Sequence, residues 1–345
     1  MYKRVIRPIL FLIDPEKIHH FVATGLRIVF AIPGIGWLTK KIFSVKDPAL
    51  KKDLFGLTFN NPVGIAAGFD KEAKLYNHLG NFGFSHVEIG TVTPESQPGN
   101  PRPRMFRIPS DKALINRMGF NNKGVEEFVK NLKKNKPKII VGCNIGKNTN
   151  TPNDKAVNDY CKVFDLMHPY VDYFVINISC PNIQDLDKLQ DKESTKNILD
   201  EISKQNSDKP FKKPVLLKIG PDHSEKQLDE IIEVIYQTGI DGIIATNTTT
   251  TRENLTIDSQ KIQLIGDGGL SGLPLKEKST QTIAYISKKT NGKLPIIGVG
   301  GIFTAMDALE KINAGASLIQ IYTGFIYEGP FIVKKINNKL LKNIN

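Results

Sequence analysis

From about residue 62 onward, short apolar runs alternate with stretches of helical periodicity. The runs are Pro62–Ala67, Ser85–Val92, Ile139–Ile145, Tyr173–Ile178, Pro214–Ile219, Gly242–Ala245, Pro295–Val299 and Ser317–Ile321. Most are continuously apolar, the pattern of parallel strands covered on both faces. Helix-like segments separate most of them, for example Leu228–Gln237 before Gly239 and Thr304–Asn313 before Gly315. Eight such units over about 260 residues predict an α/β fold, a (β/α)8 barrel. A doubly wound sheet is the alternative, but no G-x-G-x-x-G fingerprint follows the first run. The segment Thr91–Asn122 carries Pro94, Pro98, Pro101 and Pro103 and reads as one large functional loop.

Up to about Phe43 the pattern is helical instead. Asp14-Pro15-Glu16 predicts a helix start, with Asp as N-cap, Pro in the first turn and an acid beside it. Ile18, Phe21, Val22, Gly25, Val29 and Ile32 recur at helical spacing, Pro33-Gly34 breaks the helix, and a shorter one runs from about Gly36 to Phe43. The expected organisation is a helical hairpin over residues 1–46 and a barrel over 47–345. The hairpin's apolar face either packs on its own domain or lies in a membrane interface with Lys and Arg at the rim. Phe21–Leu38 is interrupted by Arg27, Pro33 and three glycines and falls short of a spanning helix. Met1–Ile13 lacks the cleavage signature of a secretory leader.

The 345 residues, 40% of them hydrophobic, suffice for one large core or two modest ones. The net charge of +12 allows an anionic surface, nucleic acid or anionic ligands. Lys130–Lys138, interleaved with Asn, reads as a solvated helix face and loop, and no nucleic-acid signature accompanies it. Cys143, Cys161 and Cys180 include no C-x-x-C pair, and the six histidines make no ligand spacing, so neither a disulfide framework nor a metal site is expected. A reducing compartment fits. Cys143 and Cys161 read as small buried apolar side chains.

A barrel of this kind carries its chemistry at the C-terminal strand ends. Those ends read Ala66-Ala67-Gly68-Phe69-Asp70-Lys71, Gly90-Thr91, Asn144, Asn177 with Cys180, Lys218, Thr246-Asn247-Thr248, Gly300-Gly301 and Tyr322-Thr323-Gly324. Alanine and glycine let a planar ligand approach the backbone. Asparagine offers donors and acceptors suited to imide and carboxylate groups. Gly-rich turns after the last two strands are where such barrels hold phosphate. Each feature alone also has a plain structural reading, as tight turn, cap or ion-pair partner. Their convergence at one barrel end does not.

The set is similar to the dihydroorotate dehydrogenase family, specifically its quinone-linked, membrane-associated class. The resemblance runs from the N-terminal helices to about Gly329. It is carried by Ala66–Lys71, Gly90–Pro94, Gln97–Arg104, Asn116–Asn122, Asn144–Asn148, Thr246–Thr248, Gly268–Gly272 and Gly298–Ile302. It implies oxidation of dihydroorotate to orotate in pyrimidine biosynthesis, with FMN as cofactor and a membrane quinone as acceptor. Flavin contacts are implied for Ala66, Ala67, Gly68, Phe69, Asp70, Thr91, Asn144, Asn177, Lys218, Thr246, Gly272, Gly301, Tyr322 and Thr323. Substrate contacts are implied for Lys71, Asn116, Arg117, Met118, Gly119, Phe120, Asn177, Asn182, Asn247 and Thr248. Cys180 takes the position of the base that removes the C5 proton while hydride leaves C6 for flavin N5. Pro181 turns the chain into Ile183–Leu189, a candidate lid. The quinone would enter through residues 1–43, which would seat the protein peripherally on the cytoplasmic face of the membrane, as an expected monomer. One departure stands out: the quinone-linked class carries serine where this chain has Cys180, and cysteine is typical of the soluble class using fumarate or NAD. The N-terminal hairpin and the Asn116–Asn122 motif outweigh that single residue. The remaining alternatives are a flavin-free, phosphate-binding lyase or isomerase barrel, and a non-enzymatic binding role that explains none of the strand ends.

Overall fold

Each of the apolar runs becomes a strand, and together they close on themselves. A computed structural model describes residues 1–179, 182 and 186–344. Its barrel strands are β1 (Val63–Asp70), β2 (His86–Val92), β3 (Ile140–Ile145), β4 (Tyr173–Asn177), β5 (Val215–Ile219), β6 (Gly242–Ala245), β7 (Ile296–Val299) and β8 (Leu318–Ile321). They pair in sequence order, all parallel, and β8 closes on β1. The fold is a (β/α)8 barrel. Parallel neighbours need a crossover between them, so helices surround the barrel. The Glu225–Thr238 helix, for instance, starts at a Ser224–Gln227 capping box and ends at Gly239. The C-terminal tail forms the helix Ile332–Ile344.

Alternation along each strand divides the core in two. Phe174 and Ile176 of β4, or Leu217 and Ile219 of β5, join the layer between barrel and helices. Tyr173, Val175, Leu216, Ile244, Ile297 and Leu318 fill the barrel, with Phe59 of the hairpin Lys52–Leu54/Leu57–Phe59 closing its lower end. His86 also points inward, and β1 makes room for it: a Cβ on Gly64 would lie 2.1 Å from its ring.

The Thr91–Asn122 segment is more ordered than a loop. Met105–Ile108 and Ala113–Asn116 form two strands of an antiparallel sheet completed by Gly269–Gly272, from the β6 side of the mouth. Pairing partners about 150 residues apart carry no local signature, which is why short-range pattern missed them.

The N-terminal helices are Pro15–Phe30 and Ile35–Phe43. Asp14 caps the first, accepting the N–H groups of Glu16 and Lys17 at 3.0 Å. The pair bends by 112° at its break, and among the described residues no single helix is long and apolar enough to cross a membrane. One face packs on the barrel through Ile18, Ala23, Leu26, Phe30 and Phe43. The other exposes Phe21, Ile28, Val29, Ile32, Trp37 and Leu38. The packing alternative thus holds for one face, and the other is left apolar and exposed.

His86 generates a pH prediction. Its ring is enclosed, bonded to Ser85 Oγ at 2.9 Å, and burial holds its pKa down at about 3. Between about 6.5 and 3 the unfolded chain binds a proton that the native ring refuses, so this group lowers stability as pH falls. The urea midpoint of the wild type is expected to drop from pH 7 to pH 5 more steeply than that of His86→Gln. Equal slopes would refute the assignment.

Candidate active site

The three-stranded sheet, the strand ends and the loops after β7 and β8 surround a cavity with about 1110 Å3 of empty space, its open mouth included. Ala66, Ala67, Gly68, Lys71, Thr91, Asn116, Met118, Gly119, Phe120, Asn177, Asn182, Lys218, Thr246, Asn247, Thr248, Gly272, Gly301, Tyr322 and Thr323 all line it. These residues span the chain from β1 to β8, and barrel closure alone brings them together.

Four expected residues sit elsewhere. The Asp70 carboxylate turns away to accept the N–H groups of Lys74, Leu75 and Tyr76, each at 2.8 Å, and so anchors the turn after β1. Burial raises its pKa against those hydrogen bonds. Arg117 donates to the Asp267 carbonyl and covers the Phe106 ring at 4.6 Å, bracing the mouth from outside. Phe69 faces the N-terminal helices, edge-on to His19 at 5.3 Å and to Tyr322 at 5.6 Å. Asn144 lies one layer below the cavity. Cys180 and Pro181, with Ile183–Asp185 of the expected lid, lie outside the described residues. The rest of that lid, residues 186–189, falls in the short 3-10 helix Leu186–Gln190, with Leu186 and Leu189 buried.

Polar side chains form one connected chain across the floor. Asn247 Nδ2 donates to Asn177 Oδ1 at 3.4 Å and to Ser179 Oγ at 3.1 Å. Asn177 Nδ2 donates to Asn144 Oδ1 at 3.1 Å, which also accepts Thr91 Oγ1 at 2.6 Å. Asn144 Nδ2 donates in turn to Glu88 Oε1 at 2.7 Å. Glu88 Oε1 also takes Lys218 Nζ at 3.1 Å, and Oε2 takes Gln320 Nε2 at 2.8 Å. Glu88 has no exposed surface and Lys218 is 5% exposed. A buried charge needs a partner, and each of these two has the other; Glu88 is further met by Asn144 and Gln320. Beside this anion the Tyr173 phenol and the Cys143 thiol are pushed well up, chiefly by burial and then by the Glu88 charge. The thiol is therefore inert, consistent with a packing role.

Sequence reasoning missed Glu88 and Gln320. The signal was a lone acid between Val87 and Ile89, and a lone amide between Ile319 and Ile321, each inside an otherwise apolar run. Either could have faced the helices at a prohibitive cost, so the inward direction was inferable.

The donor set suits a wide planar ligand with a polar rim and an anionic tail. Thr246 Oγ1 is buried, lines the cavity, and has no hydrogen-bond partner among the described residues. Such a group calls for a ligand partner. At the other end Gly301 has φ +69, and a Cβ there would lie 2.3 Å from Lys276 Cα. The turn consequently presses backbone against the start of the Lys276–Lys289 helix, where N–H groups attract an anion.

The N-terminal extension is fastened to this rim. Glu16 accepts Arg104 Nη2 at 2.7 Å and Arg102 Nη2 at 2.9 Å, and those guanidiniums draw its pKa down to about 2 against the opposing effect of burial. Arg107 Nη1 donates to the Ile13 carbonyl at 2.6 Å. His19, pressed on Phe69, has its pKa lowered to about 4, mainly by burial. Glu16→Ala would leave Arg104 buried without its anion, a loss of about 3 kcal/mol. Limited proteolysis is expected to cut within residues 13–43 faster in that variant than in the wild type. Unchanged cleavage would mean that the apolar contacts alone hold the helix.

A family model described as Dihydroorotate dehydrogenase matches residues 49–344. Among curated proteins, a dihydroorotate dehydrogenase (quinone) of Christiangramia forsetii is 54% identical over 342 residues, covering 99% of each chain. One from Roseiflexus sp. is 44% identical and covers 99% of this chain and 93% of its own. Of solved structures, ligand-free DHODH of Eimeria tenella superposes with a TM-score of 0.84 at 35% identity, covering 96% of this chain and 95% of that one.

Proposed function

The chain belongs to the dihydroorotate dehydrogenase family, and from that premise we propose that the cavity binds FMN and dihydroorotate side by side and that the electrons leave to a quinone. The observation that carries this reading is the convergence of small residues, amides and Lys218 on one cavity whose buried Thr246 hydroxyl lacks a protein partner. The activity is dihydroorotate oxidation, as in the quinone-linked relatives.

Ala66, Ala67 and Gly68 would admit the flavin ring, Lys218 and Thr246 would face its polar edge, and the backbone at Gly272, Gly301 and Thr323 would hold the phosphate. When bound, FMN supplies the acceptor for the hydride from substrate C6 and the relay to the quinone. Lys71, on the cavity wall, would pair with the substrate carboxylate. Asn116, Asn177, Asn182, Asn247 and Thr248 would fix its imide and ring edges. Asn182 Nδ2 already donates to Asn116 Oδ1 at 3.3 Å, joining the loop after β4 to the rim sheet. Orientation of this kind raises rate by removing the entropy of alignment.

Cys180 would take the C5 proton. A thiol ionises near ~8.5 and a serine hydroxyl far higher, so a thiolate is reachable near neutral pH. Cys180→Ala is expected to hold FMN yet nearly abolish its single-turnover reduction by dihydroorotate, seen as persistent flavin absorbance under anaerobic conditions. Cys180→Ser should remain active with its pH profile moved upward. An unmoved profile would show that thiol ionisation is not what limits the rate.

Residues 1–46 would form the quinone entry and a peripheral seat on the cytoplasmic face of the membrane. Support comes from the exposed Phe21, Ile28, Val29, Ile32, Trp37 and Leu38 on one side, with Arg27, Lys40 and Lys41 beside them. The aromatic series His19, Phe69, Tyr322 runs from that helix to the cavity. Phe21→Asp with Trp37→Asp, both at exposed positions, should weaken vesicle binding and quinone turnover while flavin reduction by dihydroorotate is spared. The test of the whole reading is an acceptor assay on FMN-loaded protein. Turnover with ubiquinone or menaquinone analogues supports it, and turnover with fumarate or NAD alone overturns the acceptor.

A further inference from the structure

Glu88 has no contact with the cavity, yet its carboxylate gathers side chains from three other strands: Asn144 of β3 at 2.7 Å, Lys218 of β5 at 3.1 Å and Gln320 of β8 at 2.8 Å. Of the charged pair, only Lys218 lines the cavity. Whatever ring lies there meets the ammonium first and a fixed negative charge directly behind it. Interactions of this kind are strong because the surroundings are dry: Glu88 is wholly enclosed. Resting on the FMN reading above, we propose that Glu88 is a positioning residue that sets the net positive charge Lys218 presents to the flavin, and thereby the reduction potential of the bound cofactor.

The sign follows from charge. Reduction places negative charge on the flavin, which the ammonium favours and the carboxylate behind it opposes. Removing the carboxylate's charge while keeping its shape must make reduction easier. Glu88→Gln keeps the shape but leaves the Lys218 ammonium with no anion other than the reduced flavin, which favours reduction further. The retained Oε1 can still accept Asn144 and Lys218. Gln320 Oε1 is buried with no hydrogen-bond partner among the described residues, so its amide can turn to accept the new N–H group.

The experiment is an anaerobic redox titration of the full FMN-loaded chain against mediator dyes. Glu88→Gln is expected to shift the midpoint positive, raising the reduced-to-oxidised ratio at a fixed poise about tenfold, or about 30 mV for a two-electron couple. Glu88→Asp, which keeps the charge, should stay near the wild type, a rescue that a purely steric role would not predict. An unchanged or more negative midpoint in Glu88→Gln overturns the proposal. Should that variant hold FMN weakly, the Kd values of oxidised and reduced FMN are measured instead. Their ratio must favour the reduced form more than in the wild type, and an equal ratio overturns the proposal. A wild type that takes up no FMN would instead defeat the reading of the site itself.

Discussion

The ion pair between Glu88 and Lys218 is the constraint around which the upper half of the barrel is arranged. Two opposite charges, 3.1 Å apart and shut away from water, are tolerable only when every remaining lone pair is met. Asn144 and Gln320 meet those of Glu88. Asn144 can do so only by turning its oxygen toward Thr91 and Asn177, and Asn177 in turn accepts Asn247. The orientation of side chains at the cavity floor therefore propagates from one carboxylate one layer below. An apolar residue at that position would remove the demand, and with it the reason for any single arrangement of the amides. Rigid placement of the ring of donors is what precise alignment of a bound substrate needs.

A second ion cluster solves a different problem. The N-terminal helices carry exposed apolar surface on one side, and such surface would favour detachment toward any apolar partner. Glu16, bound by Arg104 and Arg102, ties the first of these helices to the loop that follows β2, while Arg107 holds the Ile13 carbonyl. The same loop supplies two strands of the rim sheet. A helix with an exposed apolar face is thereby locked to the wall of the cavity, with the His19, Phe69 and Tyr322 rings between them.

Much of this was legible from pattern. Asp14-Pro15 marked a cap, and the structure shows the carboxylate accepting two N–H groups there. The apolar runs matched the strands to within a residue or two at most ends, because a strand buried on both faces has no polar position to blur its limits. Strand β1 is the exception: it continues through Phe69 and Asp70, past the run's end at Ala67. Its pairing with β2 shifts register after Ile65, an irregularity no periodicity foretells. Among site residues, the glycines, the hydroxyls and the strand-end amides other than Asn144 line the cavity, whereas Asp70 and Arg117 turn away from it. Both sit in motif segments beside lining residues, and a side chain one position along a turn faces another way.

The sequence by itself determined the repeating unit, the helix cap, the two-sided burial of the strands and the strand-end chemistry, because each is written in the spacing of neighbouring residues. Tertiary structure decided what depends on pairs distant along the chain. Glu88 meets Gln320 across 232 positions and Glu16 meets Arg104 across 88. Residue Ala113–Asn116 backbone finds its partner in Gly269–Gly272 only once the barrel has closed. Local spacing carries no information about such partners. Closure of the barrel supplies it, by forcing eight strand ends into one ring and bringing the lone acid inside against the lysine, asparagine and glutamine that meet it.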